Sequence, residues 1–354
     1  MSSASPTGAN GPLQNQALGT FAKNTFGFAV SLALTLLGLV LVTFLIARVV
    51  PIDPVLVMVG DRASPEAYEQ ARRAMGLDQP VYRQFLDYLG QVVVGDLGRS
   101  VMTGRDVLSD TLRAFPATLE LALAATLIGA VLGVPAGVFA AVRRGRASDH
   151  LVRIISLIGY SLPVFWLGMV ALLVFYARLG WVEGPGRIGI AYQYSVPGRT
   201  GFVLLDALLA GEWAAARNAF SHLILPACIL GYVSMAFIAR MTRSLMIEQL
   251  SQEYVLAARA KGVPASTVIW RHAFGNVIVQ VITVITLTFA YLLEGAVLTE
   301  TVFAWPGIGL YITQALFSAD LNAVVGGTIV IGISFVFLNR GADLLYRIFD
   351  PRIR

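Results

Sequence analysis

The sequence predicts an all-α, polytopic membrane protein with six transmembrane helices. Three observations carry that prediction. Apolar residues make up 56% of the 354-residue chain and charged ones 13%, against roughly 25% charged in a soluble domain; the mean hydropathy is +0.72. Six apolar runs, at 27–49, 117–142, 151–177, 221–239, 277–298 and 322–346, are each long enough to cross about 30 Å of hydrocarbon. Between them the arginines are spread in clusters, as membrane topology produces.

Taken in order, residues 1–26 begin with a Ser-, Gly-, Asn- and Gln-rich stretch without apolar period and read as a disordered tail. The run 27–49 is too long for a signal-peptide core, and FLIARVVP makes a poor cleavage site, so it reads as an uncleaved first span. Residues 50–116 form the largest polar region. Ser64 is placed to cap a helix, with Pro65 in its first turn and Glu66 next, closing near Gly76. Residues 79–94 alternate at helical spacing, and GDLGRS at 95–100 is a turn. Residues 104–115 are amphipathic and are expected to lie on the membrane surface, leading into Pro116. The region holds no His or Cys and too little apolar content to close its own core, which makes it an accessory external cap rather than an enzymatic domain. The remaining five spans form a core over 117–346. Pro163 and Pro226 are expected to bend their helices or mark their ends. Gly326-Gly327 permits close helix packing. The link 178–220 carries RLGWVEGPGRIG and a short helix at 202–209, and 347–354 form the second tail.

The net charge of +5 comes almost wholly from arginine, the only lysines being Lys23 and Lys261. Because the arginines sit between apolar spans, the basic balance reflects topology, and a nucleic-acid partner is not expected. Arg143, Arg144, Arg146 and Arg153 follow span two, and Arg240, Arg243, Arg259, Lys261 and Arg271 follow span four; the link after span five has none. The long first link holds seven arginines, but nine carboxylates share it and long segments obey the rule poorly. Counting therefore puts both termini and the 240–276 loop in the cytoplasm of a multi-pass protein.

Several chemistries are missing. There is no G-x-x-x-x-G-K-[ST] to cradle nucleotide phosphates, no H-E-x-x-H and no G-x-S-x-G. A lone Cys228 cannot pair within the chain, and His150, His222 and His272 lie far from any ligand spacing, so no metal site is expected. Charges inside spans are costly and invite a functional reading. Glu294 in span five either faces an aqueous path, where it would meet an amino group or cation, or ends its helix near the interface; Glu120 and Arg340 lie nearer span ends. Ser161, Thr283, Thr286, Thr288 and Tyr291 add polar groups to spans three and five as candidate path residues, although Ser and Thr hydroxyls often bond only their own helix.

Between spans four and five lies QEYVLAARAKGVPASTVIWRHAFGNV, at 252–277. Good helix formers run to Gly262, which stops the helix, and Pro264 can open a second one. Ala257, Ala258 and Ala260 give the first helix a face without bulk, rimmed by Arg259 and Lys261. Such a face suits either a solvated linker or a close protein contact whose register the charges fix.

The pattern EYVLAARAKG followed by RHAFGN resembles the cytoplasmic coupling segment, or EAA loop, of ABC importer permeases of the dipeptide/oligopeptide/nickel branch. GDLGRS, ETVFAWPGIG at 300–309 and the ending RIFDPRIR are similar to further signatures of that branch. Ala257, Ala258 and Gly262 match the motif's two alanines and glycine, while Leu256 stands where the motif has Glu. Phe274-Gly275 stand where many sugar permeases have Leu-Pro. Both departures are usual in the peptide branch. The resemblance implies the type I ABC importer permease fold and, in Glu253, Tyr254, Ala257, Ala258, Arg259, Lys261 and Gly262, a surface that docks into a partner ATPase. It further implies two ATPase subunits carrying the ATP and Mg, a second homologous permease, a periplasmic or lipid-anchored substrate-binding protein and a bacterial inner-membrane location. By analogy ETVFAWPGIG forms a re-entrant or gate-proximal turn, with Trp305-Pro306-Gly307 as a rigid corner. Peptide import by alternating access is the expectation, with no catalysis by this chain itself. Nickel or another small solute is the alternative cargo, and a passive channel or ion-coupled transporter the alternative of a different class.

Overall fold

The computed structural model describes residues 27, 30, 32–46, 54–60 and 62–349, without the side chains of 54, 57, 58, 294, 339 and 342–349. The tail expected at 1–26, the end of the C-terminal tail and the flanks of the first span lie outside the described residues. Among the described residues the chain is helical, with one isolated bridge, Arg99 to Asp106, in place of any strand.

Four helices are long and apolar enough to cross a membrane. They belong to α5 (Val107–Val142), α9 (Trp213–Leu250), the continuous run Ala265–Leu293 containing α12 (Gly275–Gly295), and α15 (Leu321–Phe349). A fifth crossing is the bent pair α6 (Ala147–Ser161) and α7 (Val164–Ala171), which continues as a π-helical turn over Leu172–Arg178. The first expected span is described as α1 (Leu32–Ile46).

Span three bends at Pro163, as expected, but sharply enough to split into two helices. Its halves meet at 98°, because Leu162 is extended (φ −87°, ψ 137°) ahead of Pro163, whose ring disfavours a helical residue before it. Pro226 behaves otherwise, since α9 runs through it unbroken. The surface helix expected at 104–115 is also corrected. Those residues from Val107 onward are the start of α5, which continues through Pro116 and Pro135. Each proline removes one N–H, and neighbouring elements tolerate that loss in a packed span; Pro116 packs its ring against Gly201, where a Cβ would come within 2.8 Å.

Helix α9 is the centre, more deeply buried than the other three unbroken spans. It runs parallel to α5 at close quarters. Gly129, Gly133 and Gly137, one turn apart on α5, face Ser234, Ile238 and Thr242, one turn apart on α9. At Gly137 a Cβ would lie 2.6 Å from the Ala239 carbonyl oxygen, so only glycine permits this spacing. The core then follows the α5–α9–α12 seam. Leu121, Ala125, Leu230, Leu292 and Trp305 pack at one end, and Val138, Met246, Ala273 and Val277 at the other.

The polar region folds as α2 (Pro54–Val59), α3 (Pro65–Ala74) and α4 (Val81–Val93). Ser64 caps α3, its hydroxyl accepting from Ala67 N–H. Having no core of its own, the region uses that of the spans. Phe85 and Tyr88 of α4 meet Phe44 of α1, with ring centroids 5.4 and 5.9 Å apart. Leu97 joins Val107, Tyr311 and Val325 in one cluster. The GDLGRS turn is pinned to the start of α15: Ser100 Oγ donates to Asp320 Oδ2 at 2.6 Å, and Asn322 Nδ2 donates to the Arg99 carbonyl at 3.1 Å.

Candidate functional site

Two surfaces collect the residues that the sequence singles out. The first is α10 (Glu253–Ala260), which leaves the end of α9 and turns back at Gly262. Gly262 has φ +76° with open space where a Cβ would sit, so the corner needs glycine for its backbone and not for packing. Ala265–Thr267, a π-helical turn over Val268–Phe274 and α12 follow as one unbroken helical run. The second helix of the loop is thus the first three turns of span five, where a separate helix after a corner was expected.

Val255, fully buried, anchors α10, as Val268 and Ala273 anchor the run behind it. The Tyr254 hydroxyl donates to Gln249 Oε1 at 3.1 Å. Glu253, Tyr254, Leu256, Ala257, Arg259, Lys261 and Gly262 are exposed, whereas Ala258 is half-buried. The two motif alanines therefore differ: Ala257 sits on the open face beside a 57%-exposed Leu256, and Ala258 turns toward its own chain.

The second surface is a furrow along α6, α9 and α12. Its larger part, about 570 Å³, is lined by Tyr160, Leu162, Phe237, Thr288, Tyr291 and neighbours. A smaller part of about 340 Å³ continues toward the α10 end, past His150, Arg153 and Arg240. Of the path candidates, Tyr291 is 65% exposed and lines the furrow. Ser161 is exposed beside the bend of span three. Thr283, Thr286 and Thr288 donate to the carbonyls of Val279, Ile282 and Val284, four residues back in their own helix. The Glu294 side chain lies outside the described residues.

The buried charges that frame these surfaces are structural. Glu120 accepts from Arg187 Nε at 2.8 Å and from Leu204 N–H at 3.0 Å, clamping the long link onto α5. Glu300 belongs to α13 (Val297–Val302) and is fully buried. It accepts from the Thr118 hydroxyl at 2.6 Å and from Leu310 N–H at 3.0 Å, the latter in α14 (Ile308–Phe317). Trp305 in the corner between α13 and α14 donates its indole N–H to the Ala117 carbonyl at 2.8 Å. ETVFAWPGIG is thus a packed plug on the start of span two. At the α10 end Asp149 accepts both arms of Arg243, at 2.6 and 2.8 Å, and the Gly145 N–H. The side-chain pairs of Glu120 with Arg187, Asp149 with Arg243 and Thr118 with Glu300 were not legible in the sequence, because nothing local marks partners 67, 94 and 182 residues apart. The α5 glycines carried a readable signal in their four-residue spacing. No group of three or more metal-ligating side chains occurs among the described residues.

Among the described residues, an α-helical bundle with four long apolar helices, a broken span and an exposed corner helix is the architecture of a multi-pass membrane protein. Residues 133–354 match the family described as the binding-protein-dependent transport system inner membrane component, and 25–122 its N-terminal companion. The chain belongs to that family. It is 44% identical over 90% of its length to a di/tripeptide transport system permease protein of Pseudomonas aeruginosa (strain UCBPP-PA14), covering 95% of that protein. It is also 44% identical over 91% of its length to a probable D,D-dipeptide transport system permease protein of Escherichia coli (strain K12), covering 94% of it. A solved chain of the MetNI methionine ABC transporter in inward-facing form shares the fold, with a TM-score of 0.50 and 19% identity over 68% of this chain and 96% of that one.

Proposed function

We propose that this chain is a permease subunit of an ATP-driven importer of short peptides, working by alternating access in a bacterial inner membrane. One observation carries the reading. The exposed helix α10 is joined through Gly262 to a helical run that is continuous with the furrow-lining span. A partner that grips α10 would drive that span as a lever, with Glu253, Tyr254, Ala257, Arg259, Lys261 and Gly262 as the contact set and Ala258 supporting them from within. The relatives named for di- and tripeptides and D,D-dipeptides favour peptides over nickel or another small solute.

The assembly consists of this chain, a second homologous permease, two ATPase subunits holding ATP and Mg, and a substrate-binding protein. Arginine counting puts both termini and α10 in the cytoplasm. Ser161, Tyr291 and Glu294 are the path residues of this reading, with Thr283 and Thr286 supporting their helix. The test is uptake of a labelled dipeptide by proteoliposomes holding the whole complex, with binding protein outside and ATP inside. Accumulation above equilibrium that requires ATP is expected. Equilibration without ATP, or uptake driven by an ion gradient alone, overturns the reading in favour of a channel or ion-coupled carrier.

A further inference from the structure

The two parts of the furrow share Tyr160 and Phe237, and one charged side chain stands at that junction. Arg240 places its guanidinium 5.3 Å from the centre of the Tyr160 ring and 5.6 Å from that of Phe237. Contact with two rings holds a planar cation in a fixed orientation and leaves its N–H edge free to bond. Three residues further along α9, Arg243 is used differently, both arms being committed to Asp149. Among the described residues Arg240 makes no ion pair or hydrogen bond, and it is exposed to the furrow it lines.

No Asp or Glu lines either part of the furrow, whereas His150 and Arg153 stand with Arg240 in the narrower one. The surface is apolar and aromatic with an unneutralised guanidinium beside the two shared rings, a chemistry that receives an anionic planar group on a small, partly apolar molecule. A guanidinium fork matches a carboxylate with two parallel hydrogen bonds. Volumes of about 340 and 570 Å³ lie on either side, in the range of small-ligand pockets.

Resting on the peptide-importer reading, we infer that Arg240, held between Tyr160 and Phe237, is a transient binding station for the C-terminal carboxylate of the peptide as it passes between the two parts of the furrow. The Arg240 fork and not charge alone sets the interaction, so a lysine recovers only part of it.

The experiment compares uptake of a dipeptide and of its C-terminal amide by the reconstituted complex, with wild type, Arg240→Gln and Arg240→Lys. The binding protein is the same in every arm, so its own preference cancels in the ratio of ratios. Arg240→Gln is expected to lower uptake of the free acid at least tenfold while changing amide uptake less than twofold. Arg240→Lys is expected to fall between Arg240→Gln and wild type. An equal fall for acid and amide, or no fall for either, overturns the assignment. So does a defect that appears only in vesicles containing anionic phosphatidylglycerol, which would make Arg240 a lipid-headgroup contact. Wild-type vesicles that take up neither compound with ATP defeat the importer reading itself, and this inference with it. Normal wild-type uptake with equal losses in Arg240→Gln defeats the inference alone.

Discussion

The Thr118 hydroxyl donates to Glu300 Oε1 at 2.6 Å and accepts from Ile308 N–H at 2.9 Å, so one side chain of α5 holds both sides of the Trp305 corner. Glu300 is fully buried, and every polar partner named for it is a donor. Glu300→Gln turns one acceptor into a donor aimed at donors. The expected cost is about 1.5–3 kcal/mol, read as a lower thermal midpoint of the detergent-solubilised complex. Thr118→Val keeps the shape but leaves both Glu300 Oε1 and the Ile308 N–H without that partner, so its cost should be comparable.

Close approach of α5 and α9 makes the glycines of that seam sensitive to volume. Gly137→Ala drives a Cβ against the Ala239 carbonyl and the Thr242 Cβ, at 2.6 and 2.7 Å, and should cost about 1–3 kcal/mol. Gly145→Ala serves as the control for strain without a clash, because nothing lies within 4 Å of its Cβ position at φ +77°. Its cost should stay near 1 kcal/mol. Fluorescence-detected gel filtration after a temperature series reads both.

Asp149 and Arg243 tie the start of α6 to α9 beside the narrow part of the furrow. Asp149→Asn and Arg243→Gln should each destabilise by about 1.5–3 kcal/mol, and the double variant by less than their sum. A coupling energy above about 1 kcal/mol in the double-mutant cycle is expected; strict additivity would show that the pair contributes nothing to the α6–α9 contact.

Asp206, in the link before α9, gives a pH dependence of known sign. Burial pushes its carboxyl up, but the Thr200 hydroxyl and the N–H groups of Thr200, Gly201 and Arg199 outweigh that, and its pKa lies below the usual aspartate value. A carboxyl depressed on folding stabilises above its unfolded pKa and loses that contribution as pH falls through the folded value. Asp206→Asn should therefore protect the link from proteolysis less well than wild type at pH 7. The difference should shrink once the pH drops below the aspartate range.

Much of the fold could be read from the sequence because its elements announce themselves locally. Pro163 marked the break in span three, Ser64 and Pro65 marked α3, and Gly262 marked the corner after α10. Pro116 misled, because a proline ring accommodated against Gly201 leaves a long helix intact. The same failure hid the continuity of Ala265 with span five. Pro264 did open a helix, but that helix had no second end before the membrane run began. Of the candidate site, α10 was legible from its small residues, although the different settings of Ala257 and Ala258 follow from how Val255 docks. Arg240 stood out in the sequence only as one of a row of topology-setting arginines. Phe237 lies one turn before it on α9, but Tyr160 belongs to α6, and only the fold brings that second ring to it.

The central claim is that the open face of α10 receives the force that moves the α12 span. Ala257→Trp tests it most directly, because Ala257 is exposed and the change leaves the buried Val255 anchor in place. ATPase copurification and ATP-driven dipeptide uptake are measured together on the reconstituted variant. The account predicts that this chain stays folded with its partner permease while ATPase binding and uptake both fall at least tenfold. Full ATPase binding with wild-type uptake in Ala257→Trp would contradict it.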